Sequence, residues 1–110
     1  MAKAQTGNID RRTLLLQLFP NFDEWLFVSG LAGASKDAAA LTNDGSNLYT
    51  MAGTMGAAVA TGLGMAMSAP DRKVAVINGD GEMLMGIGSL VTVAAAQPKN
   101  LTIVCEDNAM

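Results

Sequence analysis

Two short polar segments carry the oxygen atoms that a ligand site would need. The first is Gly79-Asp80-Gly81 and the second is Asp107-Asn108. One carboxylate oxygen and one amide oxygen suit a hard cation such as Mg²⁺, which completes its coordination with phosphate oxygens and water. The N–H groups of a helix that begins near Gly81 and Glu82 suit the same phosphate. The sequence therefore predicts a site for a divalent cation and a phosphorylated ligand.

The elements around these two segments bring them to one edge of a sheet. Apolar runs predict strands at 73–77 and 101–105, connected by a helix over about 82–97. Residues 78–81 are predicted to form a tight loop at the end of the first strand. Alternating strands and helices produce a parallel sheet, and ligands of such sheets bind beyond the carboxyl ends of the strands. The two polar segments should therefore face each other across neighbouring strands.

The preceding part of the chain shows the same alternation. Its predicted elements are a helix from Asn8 or Asp10 to about Leu18, a strand at 25–28, a short helix at 35–41 and a loop at 42–47. A helix rich in Gly and Ala follows over 54–68, and its small residues allow close packing against a sheet. The uncharged stretch 48–70 is also long enough to span a bilayer. Its few bulky aliphatic residues favour the packed helix instead.

The composition restricts the class of protein. The chain has 110 residues, half of them apolar, with a net charge of −3. Because it contains no basic run, neither a nucleic acid nor a membrane is an expected partner. Histidine is absent, which excludes His-based catalysis and His-ligated metals. The single cysteine, Cys105, fits a reducing compartment, and we expect a cytoplasmic protein.

In order and spacing, the two polar segments resemble the fingerprint of thiamine-diphosphate-dependent enzymes, although that fingerprint usually ends in Asn-Asn. Gly53-Thr54-Met55-Gly56 resembles the segment that precedes the fingerprint in the decarboxylases of this family. Pro98-Lys99-Asn100 is similar to a tripeptide in the diphosphate-binding subunit of sulfopyruvate and phosphonopyruvate decarboxylases. The resemblance implies an α/β fold, a parallel sheet with flanking helices. It implies a helix and lead-in over 1–24, then a thiamine-diphosphate-binding domain over 25–110 that is truncated relative to the full domain.

The resemblance also implies the metal ligands. Asp80 corresponds to the carboxylate ligand of Mg²⁺ and Asn108 to the amide-oxygen ligand. The main-chain carbonyl of Met110 corresponds to the third ligand. Asp107 stands where the family usually has its first Asn, so Asp107 and Asn108 compete for the second ligand position.

The remaining cofactor-binding positions follow from the same resemblance. Three residues would line the diphosphate through backbone groups: Gly79, Gly81 and Glu82. Gly53 would offer its carbonyl to the aminopyrimidine, and Thr54 belongs to the same cofactor-binding segment. Met55 would be the apolar wedge beneath the bent cofactor, a role that a flexible thioether fills well.

The implied function is the cofactor-binding subunit or fragment of a 2-oxo-acid decarboxylase, a lyase whose small substrate carries a sulfonate or phosphonate. The catalytic glutamate of the family lies on a separate pyrimidine-binding domain, and none of Glu24, Glu82 and Glu106 matches it. We therefore expect no catalytic residue in this chain. We expect a partner subunit that carries the pyrimidine-binding domain, in a hetero-oligomer or a homodimer.

Two alternatives remain. A Rossmann-like nucleotide-binding unit also has a strand, Gly-x-Gly, a helix, a strand and an acidic residue, the order found over 74–107. Against it, Leu84 occupies the position of the third glycine, and Asp80 would repel a pyrophosphate that has no cation. The second alternative is a non-catalytic structural subunit or remnant.

Overall fold

Strands and helices alternate along the chain, as the sequence predicts. The computed structural model describes residues 11–30, 33–42, 45–51 and 55–106. Its elements are α1 (Arg11–Leu18), a 3₁₀ turn (Phe22–Glu24), β1 (Trp25–Ser29), α2 (Gly33–Thr42), β2 (Leu48–Thr50), α3 (Ala58–Ser68), β3 (Lys73–Gly79), α4 (Asp80–Met85), α5 (Gly88–Ala96) and β4 (Leu101–Glu106). The four strands form one parallel sheet in the order β2-β1-β3-β4, which confirms the α/β fold.

Strand β3 lies in the interior of the sheet, which explains why its sequence does not alternate. It pairs with β1 through Val76 and Val28, and with β4 through Val76 and Ile103. Every residue of β3 except Lys73 is buried. A parallel strand that is covered on both faces requires apolar residues at successive positions rather than at alternate ones.

Helices α1 and α2 cover one face of the sheet, which we call the aromatic face. Its buried residues are Leu15, Phe19, Phe27, Ala38, Leu41, Ala75 and Ile77. The ring of Phe19 meets the rings of Trp25 and Phe27 edge-on, with centroids 4.9 and 5.2 Å apart. Such contacts add about 0.5–1.5 kcal/mol per pair beyond burial. Phe19, which directly follows α1, therefore fastens that helix to the sheet.

Helices α3 and α5 cover the opposite face, which we call the small-residue face. The buried residues of its core cluster are Val28, Ala58, Val59 and Val76. Gly62 in α3 lies so close to the sheet that a Cβ atom there would overlap Cγ2 of Val76. The prediction that the Gly- and Ala-rich helix packs closely against a sheet is thus confirmed. Among the described residues, no helix is both long and apolar enough to cross a membrane.

Asn100 fixes the amino-terminal edge of the sheet. Its side-chain nitrogen donates to the carbonyl oxygens of Ala66, Ala69 and Arg72 at 3.0, 3.1 and 2.8 Å. These carbonyls belong to the end of α3 and the turn before β3, so Asn100 ties that turn to the start of β4. The Pro98-Lys99-Asn100 motif therefore stabilises the edge opposite the predicted site.

The sequence analysis did not predict strand β2. It pairs in parallel with β1 through Leu48 and Phe27 and through Thr50 and Ser29. The strand has only three residues, and Tyr49 is exposed. A short strand with one neighbour in the described sheet buries too little to require an apolar run, and it follows a segment with the composition of a loop.

The prediction for residues 78–97 is wrong in two respects. No loop separates β3 from the next helix, because the strand continues through Gly79 and α4 begins at Asp80. The helix that was expected over 82–97 is divided into α4 and α5, with Gly86 and Ile87 between them.

Helix α3 also begins later than predicted, at Ala58 instead of near Thr54. Gly56 has φ +87°, which a right-handed helix does not permit. The helix can therefore begin only after this glycine, and Thr54 itself lies outside the described residues.

Candidate functional site

The carboxyl end of β3 passes directly into α4, which brings Asp80 to the edge of the sheet. Gly79 has extended backbone (φ −88°, ψ 171°) and precedes the first helical residue. Oδ1 of Asp80 accepts a hydrogen bond from the N–H of Gly81 at 2.9 Å. Among the described residues outside its own helix and its chain neighbours, none lies within 4 Å of the position that a Cβ atom of Gly81 would occupy. The partly exposed Asp80 carboxylate can therefore be approached by a ligand.

The side chain of Glu82 lies near the ends of β1 and β3. Glu82 is only 5% exposed. A Cβ atom at Gly30, the residue after β1, would overlap Oε1 of Glu82 and lie 2.7 Å from its Cδ. The same position is 3.1 Å from Cβ of Asn78 near the end of β3. The sequence analysis assigned only backbone groups of Glu82 to a ligand, whereas its carboxyl group is a buried part of the edge.

Asn78 and Ser29 are polar groups at this edge that the sequence analysis did not consider. Both side chains are buried at the ends of their strands. Among the described residues, Oδ1 of Asn78 and Oγ of Ser29 have no hydrogen-bond partner, and Nδ2 of Asn78 reaches only the sulfur of Met83 at 4.0 Å. Buried polar atoms nearly always have partners in folded proteins. Their position at the strand ends fits a site that takes up a polar ligand, and a polar residue ending an apolar strand was the available signal.

Met55 lies in a turn that contacts the other end of α4. Its side chain is 48% exposed, so packing does not enclose it. A Cβ atom at the adjacent Gly56 would lie 3.2 Å from the nitrogen of Gly86 and from the carbonyl carbon of Met85. The two segments expected to hold the ring and the diphosphate of a cofactor are therefore in direct backbone contact.

The carboxyl edge is acidic in the described residues. Asp80, Glu82 and Glu106 all lie there, at the start of α4 and at the end of β4. Lys73 and Lys99 lie at the amino-terminal edge, where Nζ of Lys73 is 5.7 Å from the centre of the Trp25 ring. A polyanionic ligand at the carboxyl edge therefore needs a cation to offset these carboxylates.

The strand register supports the predicted meeting of the two polar segments. Gly79 and Glu106 are partners across β3 and β4, so both strands end at the same edge. Five residues of the predicted site lie outside the described residues: Gly53, Thr54, Asp107, Asn108 and Met110. No three Asp, Glu or Cys side chains converge as metal ligands within 11–30, 33–42, 45–51 and 55–106.

The chain is similar in sequence to one protein family and to several known decarboxylases. The family profile described as thiamine pyrophosphate enzyme, C-terminal TPP binding domain, matches residues 32–110. Sulfopyruvate decarboxylase subunit beta of Methanothermobacter thermautotrophicus is 41% identical over 86 residues, which are 78% of this chain and 45% of that protein. Phosphonopyruvate decarboxylase of Streptomyces viridochromogenes is 41% identical over 92 residues, 73% of this chain and 23% of that protein.

A third relative extends the match along the chain. Sulfopyruvate decarboxylase of Methanosarcina acetivorans is 33% identical over 98 residues, which are 89% of this chain and 25% of that protein. In each of these three comparisons the matched region is less than half of the relative's length.

Proposed function

This chain belongs to the thiamine pyrophosphate enzyme family, as its C-terminal TPP-binding domain, and from that membership we propose that it binds the diphosphate and Mg²⁺ of thiamine diphosphate in a 2-oxo-acid decarboxylase. The observation that carries the proposal is Asp80, a partly exposed carboxylate at the carboxyl edge of a parallel sheet, next to Gly81, whose Cβ position has open space around it among the described residues. When bound, thiamine diphosphate supplies a nucleophilic thiazolium carbon and an electron sink for the loss of CO₂.

Asp80 supplies the anionic ligand of the cation in this proposal. The N–H of Gly81 donates to Oδ1 of Asp80, which orients the carboxylate. Asn108 or Asp107 supplies a second oxygen ligand, and the carbonyl of Met110 supplies a third. Mg²⁺ prefers such oxygen donors and keeps phosphate oxygens and water as its other ligands.

Backbone groups receive the rest of the cofactor. Gly79, Gly81 and Glu82 line the diphosphate, and the absence of a side chain at Gly81 leaves room for it. Gly53 and Thr54 belong to the aminopyrimidine segment. Met55 provides the apolar support beneath the rings, and its exposed position is compatible with a ligand contact.

The substrate and the partner follow from the names of the relatives. Because these relatives are named sulfopyruvate and phosphonopyruvate decarboxylases, the substrate is a small 2-oxo acid with a sulfonate or phosphonate group. One relative is named as a beta subunit, which supports a partner subunit here. We place the catalytic glutamate on a pyrimidine-binding domain of that partner, in the cytoplasm.

The test compares Asp80→Asn with Asp71→Asn. Asp71 is an exposed residue in the turn before β3, at the opposite edge of the sheet. Calorimetric titration of the full protein with its partner uses thiamine diphosphate, with and without Mg²⁺. Loss of a charged ligand costs about 1.5–3 kcal/mol, so Asp80→Asn should weaken Mg²⁺-dependent binding about 10- to 100-fold.

Asp71→Asn should leave the affinity unchanged. If both variants bind thiamine diphosphate and Mg²⁺ with equal affinity, Asp80 is not a ligand of the cation. A titration with NADH in the same cell addresses the nucleotide-binding alternative, which requires binding in the absence of a metal.

A further inference from the structure

Residues 55 and 56 form a turn, which we call the Met55 turn. A contact between the backbones of Gly56 and Gly86 joins this turn to the end of α4. A Cβ atom at Gly86 would overlap the carbonyl oxygen of Gly56 and lie 2.9 Å from its carbonyl carbon. Gly56 has φ +87°, a conformation that residues with a side chain rarely adopt. Only glycine therefore satisfies both sides of this contact.

Gly86 is in turn fixed by the helices on either side of it. Its N–H donates to the carbonyl oxygen of Glu82 at 3.2 Å, and its own carbonyl oxygen accepts from the N–H of Ser89 at 2.9 Å. Helix α4 has six residues, about 9 Å of helix, and Asp80 is its first residue. The position of Gly86 is therefore tied to that of Asp80 through a single short helix.

Met55 depends on this link because its own side chain is not enclosed. With 48% of its surface exposed, it makes too little contact with the core to be located by packing. Its position is set by the backbone of its turn, and that backbone touches Gly86 through Gly56. A displacement of the turn therefore changes the position of Met55 relative to Asp80.

We propose that Gly86 is a positioning residue that sets the distance between the Met55 turn and the Asp80 end of α4. The inference rests on the proposed function, in which these two points hold the rings and the diphosphate of one cofactor. A Cβ atom at position 86 moves the turn, so the rings lose their support while the diphosphate keeps its ligands. Gly86 thus acts through Met55 and contacts no reacting atom itself.

The experiment is a double-mutant cycle on the full protein with its partner. Gly86→Ala is made in the unsubstituted protein and in Met55→Ala, and kcat, KM and calorimetric affinity for thiamine diphosphate with Mg²⁺ are measured. A displacement of about 1 Å can reduce turnover about 100-fold, so Gly86→Ala should lower kcat on that scale and the affinity far less. In the Met55→Ala background the same substitution should lower kcat only about twofold, because the side chain through which the displaced turn acts on the cofactor is already absent.

Gly88→Ala is the matched control. Gly88 is the first residue of α5, and among the described residues outside its own helix and its chain neighbours none lies within 4 Å of the position of its Cβ. Turnover of this variant should equal that of the unsubstituted protein. Equal losses from Gly86→Ala in both backgrounds, or an equal loss from Gly88→Ala, would overturn the inference.

Amide hydrogen exchange provides a readout that does not depend on activity. In the absence of cofactor, Gly86→Ala should speed exchange at residues 55–57, and Gly88→Ala should not; unchanged exchange at 55–57 overturns the link. If cofactor fails to bind the unsubstituted protein while Gly86→Ala still speeds this exchange, the proposed function fails and the backbone link stands.

If Gly86→Ala does not fold, the unsubstituted protein is measured with thiamine diphosphate and Mg²⁺. Exchange at 55–57 and 86–88 should then slow together, and slowing of one segment alone contradicts the link.

Discussion

The aromatic face buries seven residues in its core cluster, and five of them are aromatic rings or large branched side chains. The core cluster of the small-residue face has four buried residues, none larger than valine, and larger side chains such as Met65 and Leu90 pack against it only partly buried. Helix α5 on that face has no buried residue, and Met67, Leu84, Met85 and Val91 are more than half exposed on α3, α4 and α5. This difference between the two faces of the sheet indicates that they have different roles. One face supplies hydrophobic stability, while the other brings backbones close together and positions the segments of the candidate site.

The largest effect is expected from truncation of the aromatic face. Phe27→Ala removes a fully buried ring and should lower the free energy of unfolding by about 3–5 kcal/mol. Val28→Ala, the next residue and on the opposite face, should cost about 2 kcal/mol. Urea unfolding followed by circular dichroism measures both. Equal losses would show that the two faces contribute alike.

An intermediate effect on stability is expected from a substitution that adds a side chain between α3 and the sheet. Gly62→Ala places a methyl group against Val76 and should destabilise the protein by about 1–3 kcal/mol. Gly64 is exposed two residues later in the same helix, and the Cβ atom of Gly64→Ala meets none of the described residues outside that helix within 4 Å. This substitution should stabilise the protein by up to about 1 kcal/mol through helix propensity. Thermal unfolding of the two variants distinguishes close packing from propensity, and a stabilising Gly62→Ala would refute the close approach.

The smallest effect is expected on the outer surface of α5. Val91 is 73% exposed, so Val91→Thr should change the free energy of unfolding by less than about 0.5 kcal/mol. Val76→Thr, the same change at a buried position, should be clearly destabilising because it buries a hydroxyl group. Chemical denaturation of both variants, with and without the partner, tests this. If Val91→Thr strongly lowers the free energy of unfolding of the chain without its partner, other parts of the same chain must already cover this surface.

The sequence predicted the parts of the fold that depend on local pattern. The strands at β1, β3 and β4 are apolar runs that end at polar residues, and the structure contains all three. The division between α4 and α5 was not predictable, because it coincides with the contact of Gly86 with Gly56, thirty positions earlier. Strand β2 was missed for a similar reason, since its pairing with Phe27 depends on a distant partner.

The candidate site was predictable where it depends on residue type and spacing. The Gly-Asp-Gly motif placed Asp80 correctly at the carboxyl edge of β3. The buried carboxyl group of Glu82, the partnerless oxygen of Asn78 among the described residues and the backbone contact of Gly86 arise only after the strands meet. The cofactor and metal roles of all the predicted site residues stay predictions, for Asp80 and Met55 as for Asn108 and Met110.

The strand order also affects how the chain folds while the ribosome is still synthesising it. Both neighbours of β1 come later in the sequence, since Phe27 pairs with Leu48 and with Ala75. A ribosome adds about 5–20 residues per second, so β1 emerges seconds before β3 exists. Its segment Trp25–Ser29 has four apolar residues followed by a serine, with no charge and no proline, the composition of a segment that associates with other chains when uncovered. The nascent protein is therefore most vulnerable to aggregation between the emergence of β1 and that of β3, the period in which a chaperone would protect it.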